Sequence, residues 1–140
     1  MTKVIGIDPG TKTGLASFMN GELVDMTTTD FWGCIEQLTV HDDAIVVLEI
    51  PTTKHVWHGK QSDSTAVKHR TGFNVGSCYT QAQLIAEWLI LKGRRYITHN
   101  PQGKLDAKEL ARITGWTKRT NQHERDAAMI GWKYRNMRQS

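Results

Sequence analysis

The sequence predicts an α/β fold built on a mixed five-stranded sheet, a three-strand antiparallel meander plus parallel strands, flanked by helices. Three observations predict it. The short β-branched runs Val4-Ile5-Gly6-Ile7 and Ile45-Val46-Val47-Leu48 read as strands buried on both faces. Asn20-Gly21, between two further apolar runs, is a two-residue hairpin signal. Stretches with helical spacing then separate the later strands, giving the order βββαβαβαα.

Residues 3–8 form the first strand, and Asp8-Pro9-Gly10-Thr11 turns the chain. Gly14-Leu15-Ala16-Ser17-Phe18 is the second strand and Leu23 to Thr29 the third. Asp30 caps a helix over residues 31–39, with Phe31, Ile35 and Leu38 on one side. That helix is the crossover which brings residues 44–50 into the sheet as a fourth strand. Residues 51–72 have no sustained period and are rich in Thr, Ser, Lys, His and Gly, so a long functional or disordered loop is expected there. A helix over residues 73–92 follows, ended by Gly93. It carries two apolar stripes, Leu84, Trp88 and Leu91 on one, and Cys78, Ala82, Ile85 and Leu89 on the other, about 120° apart. One stripe packs on the sheet, and the other asks for a further partner such as an identical subunit. Arg95 to Asn100 is the fifth strand, stopped by Pro101. Residues 104–113 are a short helix closed by Gly115, and residues 121–137 are the last helix, with Asn121 and Glu124 as its capping pair.

A chain of 140 residues is expected to make a single domain over 1–140 with a self-sufficient core. No apolar run reaches about 18 residues, and Met1 leads straight into the first strand. The expectation is a soluble, cytoplasmic protein without a membrane anchor or leader. Cys34 and Cys78 match no metal-binding spacing and read as buried free thiols in a reducing compartment. Net charge is +4, carried mainly by residues 54–70 and 92–138. Basicity alone points only weakly to nucleic acid, but a basic frame around acidic residues suits an enzyme that cuts a polyanion.

Asp8 ends the first apolar run and Glu49 ends the fourth strand. Ligands of open α/β sheets bind just outside the carboxyl ends of the strands. Adjacent strands lie about 4.8 Å apart, so two carboxylates there are close enough to share a metal ion. On the last helix Ala127, Ile130, Tyr134 and Met137 share a face, and His123 and Asp126 fall within the same arc of roughly 100°. Docking by that face buries an aspartate and a histidine, and a buried carboxylate needs a partner or a cation. Singly, each has an ordinary role available: Asp8 accepting backbone N–H bonds, Glu49 pairing with a lysine, His123 as a satisfied core histidine. Together they point to a metal site at one end of one sheet. Hard carboxylate oxygens suit Mg²⁺ or Mn²⁺, and the lack of a thiolate or multi-histidine set argues against zinc. Two such ions about 4 Å apart serve phosphodiester hydrolysis. In that scheme Asp8 bridges both ions, Glu49 and Asp126 flank them, and His123 binds one or orients the attacking water.

The run Ile5-Gly6-Ile7-Asp8-Pro9-Gly10-Thr11-Lys12-Thr13-Gly14-Leu15-Ala16 resembles the opening of RuvC-type Holliday junction resolvases, within the RNase H-like superfamily. Leu48-Glu49-Ile50-Pro51 is similar to their second acidic position, and His123-Glu124-Arg125-Asp126-Ala127-Ala128 resembles their C-terminal helix motif. The first motif also occurs in actin-like ATPases; the three in order are much more specific. The resemblance implies a homodimer that binds four-way DNA junctions and makes two symmetric, Mg²⁺-dependent cuts. The 73–92 helix is then the expected dimer contact, and Lys104 matches a family lysine close to the cut phosphate. The chain departs from the pattern in three ways. His123 stands where many members have aspartate, Thr52 where many place an aromatic wedge, and the chain is shorter, as suits a phage or other compact genome.

Lys54, His55, Trp57, His58, Lys60, Lys68, His69 and Arg70 crowd the long loop after Glu49. Basic groups interleaved with an aromatic fit phosphate contacts plus base stacking. Lys104 and Lys108, at the short helix after the fifth strand, extend the expected DNA-binding set. Three rival readings remain: a related nuclease acting on other branched DNA or structured RNA, a non-catalytic junction-binding protein, and an actin-like nucleotide-binding module. The last would need a second such domain and a second phosphate loop, which 140 residues do not supply.

Overall fold

Period-two alternation sorts the strand side chains onto two faces, and each face is covered by its own pair of helices. The computed structural model describes residues 2–50, 79–100 and 103–138. Strands β1 (Lys3–Asp8), β2 (Thr13–Met19) and β3 (Glu22–Thr29) form an antiparallel meander. The β2–β3 turn is made by Asn20 and Gly21, both at positive φ (52° and 84°), the geometry that Asn-Gly favours in two-residue hairpins. β4 (Ile45–Glu49) pairs parallel with β1, and β5 (Tyr96–His99) pairs parallel with β4. The sheet order is β3-β2-β1-β4-β5, the mixed five-stranded arrangement expected from the sequence.

Helix α1 (Phe31–Val40) starts at Asp30, whose side chain accepts the Gly33 N–H at 2.8 Å. Residues 79–91 form the described part of α2. Cys34, Leu38, Ile85 and Leu89 from these two helices pack on Ile5, Ile7, Leu15, Val46 and Leu48. Burial pushes the Cys34 thiol up to about 12, as suits a packing residue; Cys78 lies outside the described residues. The other face, Val4, Ala16, Phe18, Ile45 and Val47, meets Leu110 of α3 (Ala107–Thr114) and Ala127, Ala128 and Ile130 of α4 (Gln122–Trp132). Asp8 follows Val4 and Gly6 in alternation, and Glu49 follows Ile45 and Val47. Both acids therefore belong to the face that α4 covers.

The two α2 stripes separate except at Trp88. Ala82, Ile85 and Leu89 are buried, whereas Leu84 is 43% and Leu91 83% exposed; Trp88 is partly buried against the inner core. Two helix boundaries differ from the sequence expectation. α3 begins at Ala107 because Asp106 is its N-cap, accepting the Glu109 N–H at 2.8 Å, so Lys104 precedes the helix. α4 stops at Trp132, and the chain continues in tighter turns, with Tyr134 N–H bonded to Gly131 and Met137 N–H to Tyr134. Tyr134 and Met137 still reach the α4-side core, which is why their spacing reads as a continuing helix. No helix among the described residues is long and apolar enough to cross a membrane.

α4 approaches the sheet more closely than side chains would allow. A Cβ on Gly6 would collide with the Ala127 carbonyl oxygen and lie 2.8 Å from the Gly131 nitrogen. A Cβ on Gly14 would collide with the His123 carbonyl. The obstacles are backbone atoms, which cannot rotate aside. Gly6→Ala is therefore expected to cost about 2 kcal/mol through overpacking, read as a lower urea midpoint at unchanged slope. A wild-type midpoint would show that α4 does not rest on Gly6.

Candidate active site

The carboxyl ends of β1 and β4 and the first turns of α4 converge on one cleft. Ile7 pairs with Leu48 in the parallel register, so Asp8 and Glu49, each one residue further on, are neighbours across about 4.8 Å of sheet. The start of α4 is held by a reciprocal cap. The Asn121 side chain accepts the Glu124 N–H at 2.9 Å, and Glu124 Oε1 accepts the Asn121 N–H at 3.0 Å. This is the pairing expected from the sequence, and it places His123 and Asp126 over the strand ends. A cleft of about 510 Å³ is lined by Asp8, Glu49, Lys104, His123 and Asp126, with Gly10, Thr11, Lys12 and Gln122 beside them. All five residues expected to be catalytic thus share one cavity.

Their environments differ. The Asp8 side chain is 15% exposed and that of His123 44%, and His123 Nδ1 lies 3.8 Å from Asp8 Oδ2. His123 is therefore half-exposed rather than buried as its arc suggests, because its backbone, not its ring, packs on Gly14. Burial, reinforced by the charges of Glu49 and Asp126 and opposed by Lys104, pushes the Asp8 carboxyl up to about 7. Glu49 is likewise pushed up to about 7 by burial and by Asp126, again against Lys104.

Among the described residues no three acidic, histidine or cysteine side chains stand close enough to enclose an ion as they are. The donor chemistry still fits a divalent cation. Three carboxylates face one cleft, and burial with mutual repulsion keeps two of them from ionising fully, a penalty that a cation removes.

One residue at the site gave no signal in the sequence reading. His99 ends β5 opposite Glu49, is buried, and has an Nε2 without a hydrogen-bond partner among the described residues. With Glu49, Lys104 and Asp126 it lines a smaller cavity of about 120 Å³. Its position at the carboxyl end of a strand, like those of Asp8 and Glu49, is the available clue. Lys108 is exposed on α3 and is not among the residues lining the cleft. Lys54, His55, Trp57, His58, Lys60, Lys68, His69 and Arg70, and the wedge position Thr52, lie outside the described residues.

The raised carboxyls have a consequence for stability. Between their ordinary values of 3.8 and 4.5 and their folded values of about 7, the folded state binds more protons than the unfolded one. The contribution of these two groups therefore favours folding at low pH and falls as pH rises towards about 7. Without divalent cations, Asp8→Asn is expected to melt higher than the wild type at about pH 8, with the gap closing towards pH 4. Mg²⁺ should raise the melting temperature of the wild type more than that of the variant. Equal melting curves at both pH values would remove the assigned tension.

No family model matches the chain, and no curated protein matches it. Among solved structures, the fowlpox virus Holliday junction resolvase is similar over 95% of this chain and 96% of its own length, with a TM-score of 0.55 and 14% sequence identity. At that identity the likeness is one of fold. This chain has an α/β fold of RNase H-like type, shared with a viral junction resolvase.

Proposed function

We propose that this chain is a structure-selective endodeoxyribonuclease, which resolves four-way DNA junctions by paired, Mg²⁺-dependent phosphodiester hydrolysis. The observation that carries the reading is the convergence of Asp8, Glu49, His123, Asp126 and Lys104 in one cleft, on a fold shared with a junction resolvase. Asp8, Glu49, Asp126 and His123 would hold two divalent ions, Mg²⁺ or Mn²⁺, which supply activation of water and stabilisation of the leaving oxygen. Asp8 is the residue between the others, 3.8 Å from His123 and next to Glu49 in the sheet, which suits it to bridge. His123 completes the donor set or orients the attacking water. Lys104, whose charge opposes the carboxyl shifts, would neutralise the scissile phosphate.

Binding to DNA is assigned to Lys104 and Lys108 and to the loop residues Lys54, Trp57, His58, Lys60, Lys68 and Arg70. A homodimer formed through α2, where Leu84 and Leu91 are exposed, would set two cleft copies for symmetric cuts. The work is placed in the cytoplasm of a bacterial or phage-infected cell.

One gel tests the reading: four-way, three-way and linear DNA and structured RNA, each with Mg²⁺, Mn²⁺ or chelator. Paired symmetric nicks confined to the four-way junction are expected. Equal cutting of three-way DNA or of RNA would overturn the substrate assignment, and tight binding with no cutting in either metal would overturn the enzyme assignment. Asp8→Asn is expected to lower cleavage by more than about a hundredfold while retaining junction affinity. Wild-type affinity should fall by roughly a thousandfold between about 50 and 200 mM salt. A dissociation constant indifferent to salt would contradict the phosphate contacts.

A further inference from the structure

Arg125 stands next to Asp126 in a basic chain, and its natural reading is a DNA contact. Its donors are committed elsewhere. Nε donates to the Leu105 carbonyl at 3.0 Å, Nη1 to the Thr120 carbonyl at 3.1 Å and to Thr120 Oγ1 at 3.0 Å, and Nη2 to Gln122 Oε1 at 3.1 Å. These bonds occupy each of the three guanidinium nitrogens, in the fixed fork that only arginine provides.

The bond to Gln122 decides which way its amide faces. With Oε1 held by the guanidinium, Nε2 is turned to Asp126 Oδ1 at 2.6 Å, and more weakly to the Leu105 carbonyl at 3.4 Å. The reversed amide would set oxygen against carboxylate and NH₂ against guanidinium. Both of its strong bonds are charge-assisted, and the chain Arg125→Gln122→Asp126 polarises in one direction. Gln122, Arg125 and Asp126 are three and four residues apart, so they meet on one side of α4. The same guanidinium grips Leu105, the neighbour of Lys104, and Lys104 and Asp126 line the cleft together.

We infer that Arg125 and Gln122 are positioning residues, a relay that sets the Asp126 carboxylate and the Lys104 segment in one frame before a cation arrives. The inference rests on the nuclease reading and deepens it. Asp126 enters the cleft with Oδ1 already held, so binding a cation does not have to order that side chain. Two residues outside the proposed set of metal ligands thereby govern cation affinity and turnover.

The test uses the full chain and four variants: Gln122→Met, Gln122→Glu, Arg125→Lys and the Met/Lys double. Mn²⁺ affinity is read by calorimetry, kcat and KM by junction nicking, and folding by thermal melts. Gln122→Met removes the amide at nearly constant shape. Gln122→Glu keeps the bond from Arg125 but sets a second carboxylate against Asp126 in place of a donor, so its melt reports that repulsion and its kcat the loss of the donor. Gln122→Met and Arg125→Lys are each expected to weaken Mn²⁺ binding and lower kcat about tenfold to a hundredfold, with KM for the junction unchanged, and Gln122→Glu to lower kcat to the same extent. The double variant should lose no more than the worse single one, since both changes break one relay. Unchanged Mn²⁺ affinity in Gln122→Met, beside a wild type that binds and nicks, overturns the relay and leaves the nuclease reading standing. So do losses that simply add in the double variant. A wild type that neither binds Mn²⁺ nor nicks junctions overturns both. If Arg125→Lys melts early, the two Gln122 variants decide alone.

Discussion

The seat of α4 on the bare backbone of β1 and β2 is the constraint on which the rest depends. Gly6 and Gly14 leave no side chain between strand and helix, so carbonyls of α4 rest against the strands themselves. That closeness brings Asp126 and His123 to the ends of β1 and β4; a methyl group's thickness would move them out by a large part of a hydrogen-bond length. Phe18 and Ile130 fill the remainder of this interface, so hydrophobic burial and active-site geometry share the same contact.

What that contact assembles is electrostatically unfavourable in isolation. Asp8 and Glu49 are pushed up to about 7 by burial first and by neighbouring acids second. The hydrophobic faces stabilise the fold enough to keep such a cluster, and the proposed cation site gives the strain a use. A cleft that holds carboxylates against their preference gains most when a divalent cation enters, because neutralisation and binding coincide. Lys104 offsets part of the repulsion without filling the cleft with a permanent ion pair.

Where the sequence was informative follows from this physics. Period-two runs with an acid at their ends mark strands whose last side chain leaves the core, and Asp8 and Glu49 were legible for that reason. Asn20-Gly21 and the Asn121–Glu124 cap were legible because they are local, each decided within four residues. Asp106 is as local a signal as Asn121, a cap decided within four residues, and it starts α3 at Ala107, which leaves Lys104 ahead of the helix. The other differences are tertiary. The spacing of Tyr134 and Met137 predicts a helix through Met137 because the tight turns beyond Trp132 preserve their facing. His99 and the Arg125 bonds escaped because their meaning lies in partners distant along the chain, one of them a backbone carbonyl with no sequence signature.

The two faces of the sheet also divide the work. α4 and the cleft lie on the face of Val4, Gly6 and Asp8, while α2 packs on the face of Ile5 and Ile7. Leu84 and Leu91, left exposed on α2, therefore point away from the sheet on the side opposite α4. A second copy docked there would bury apolar surface without covering either cleft, and a two-fold axis through α2 would leave both sites open to a symmetric polyanion. A partner docked on α4 would instead close the cleft it was meant to serve. The architecture thus admits the proposed dimer on one side and the proposed substrate on the other.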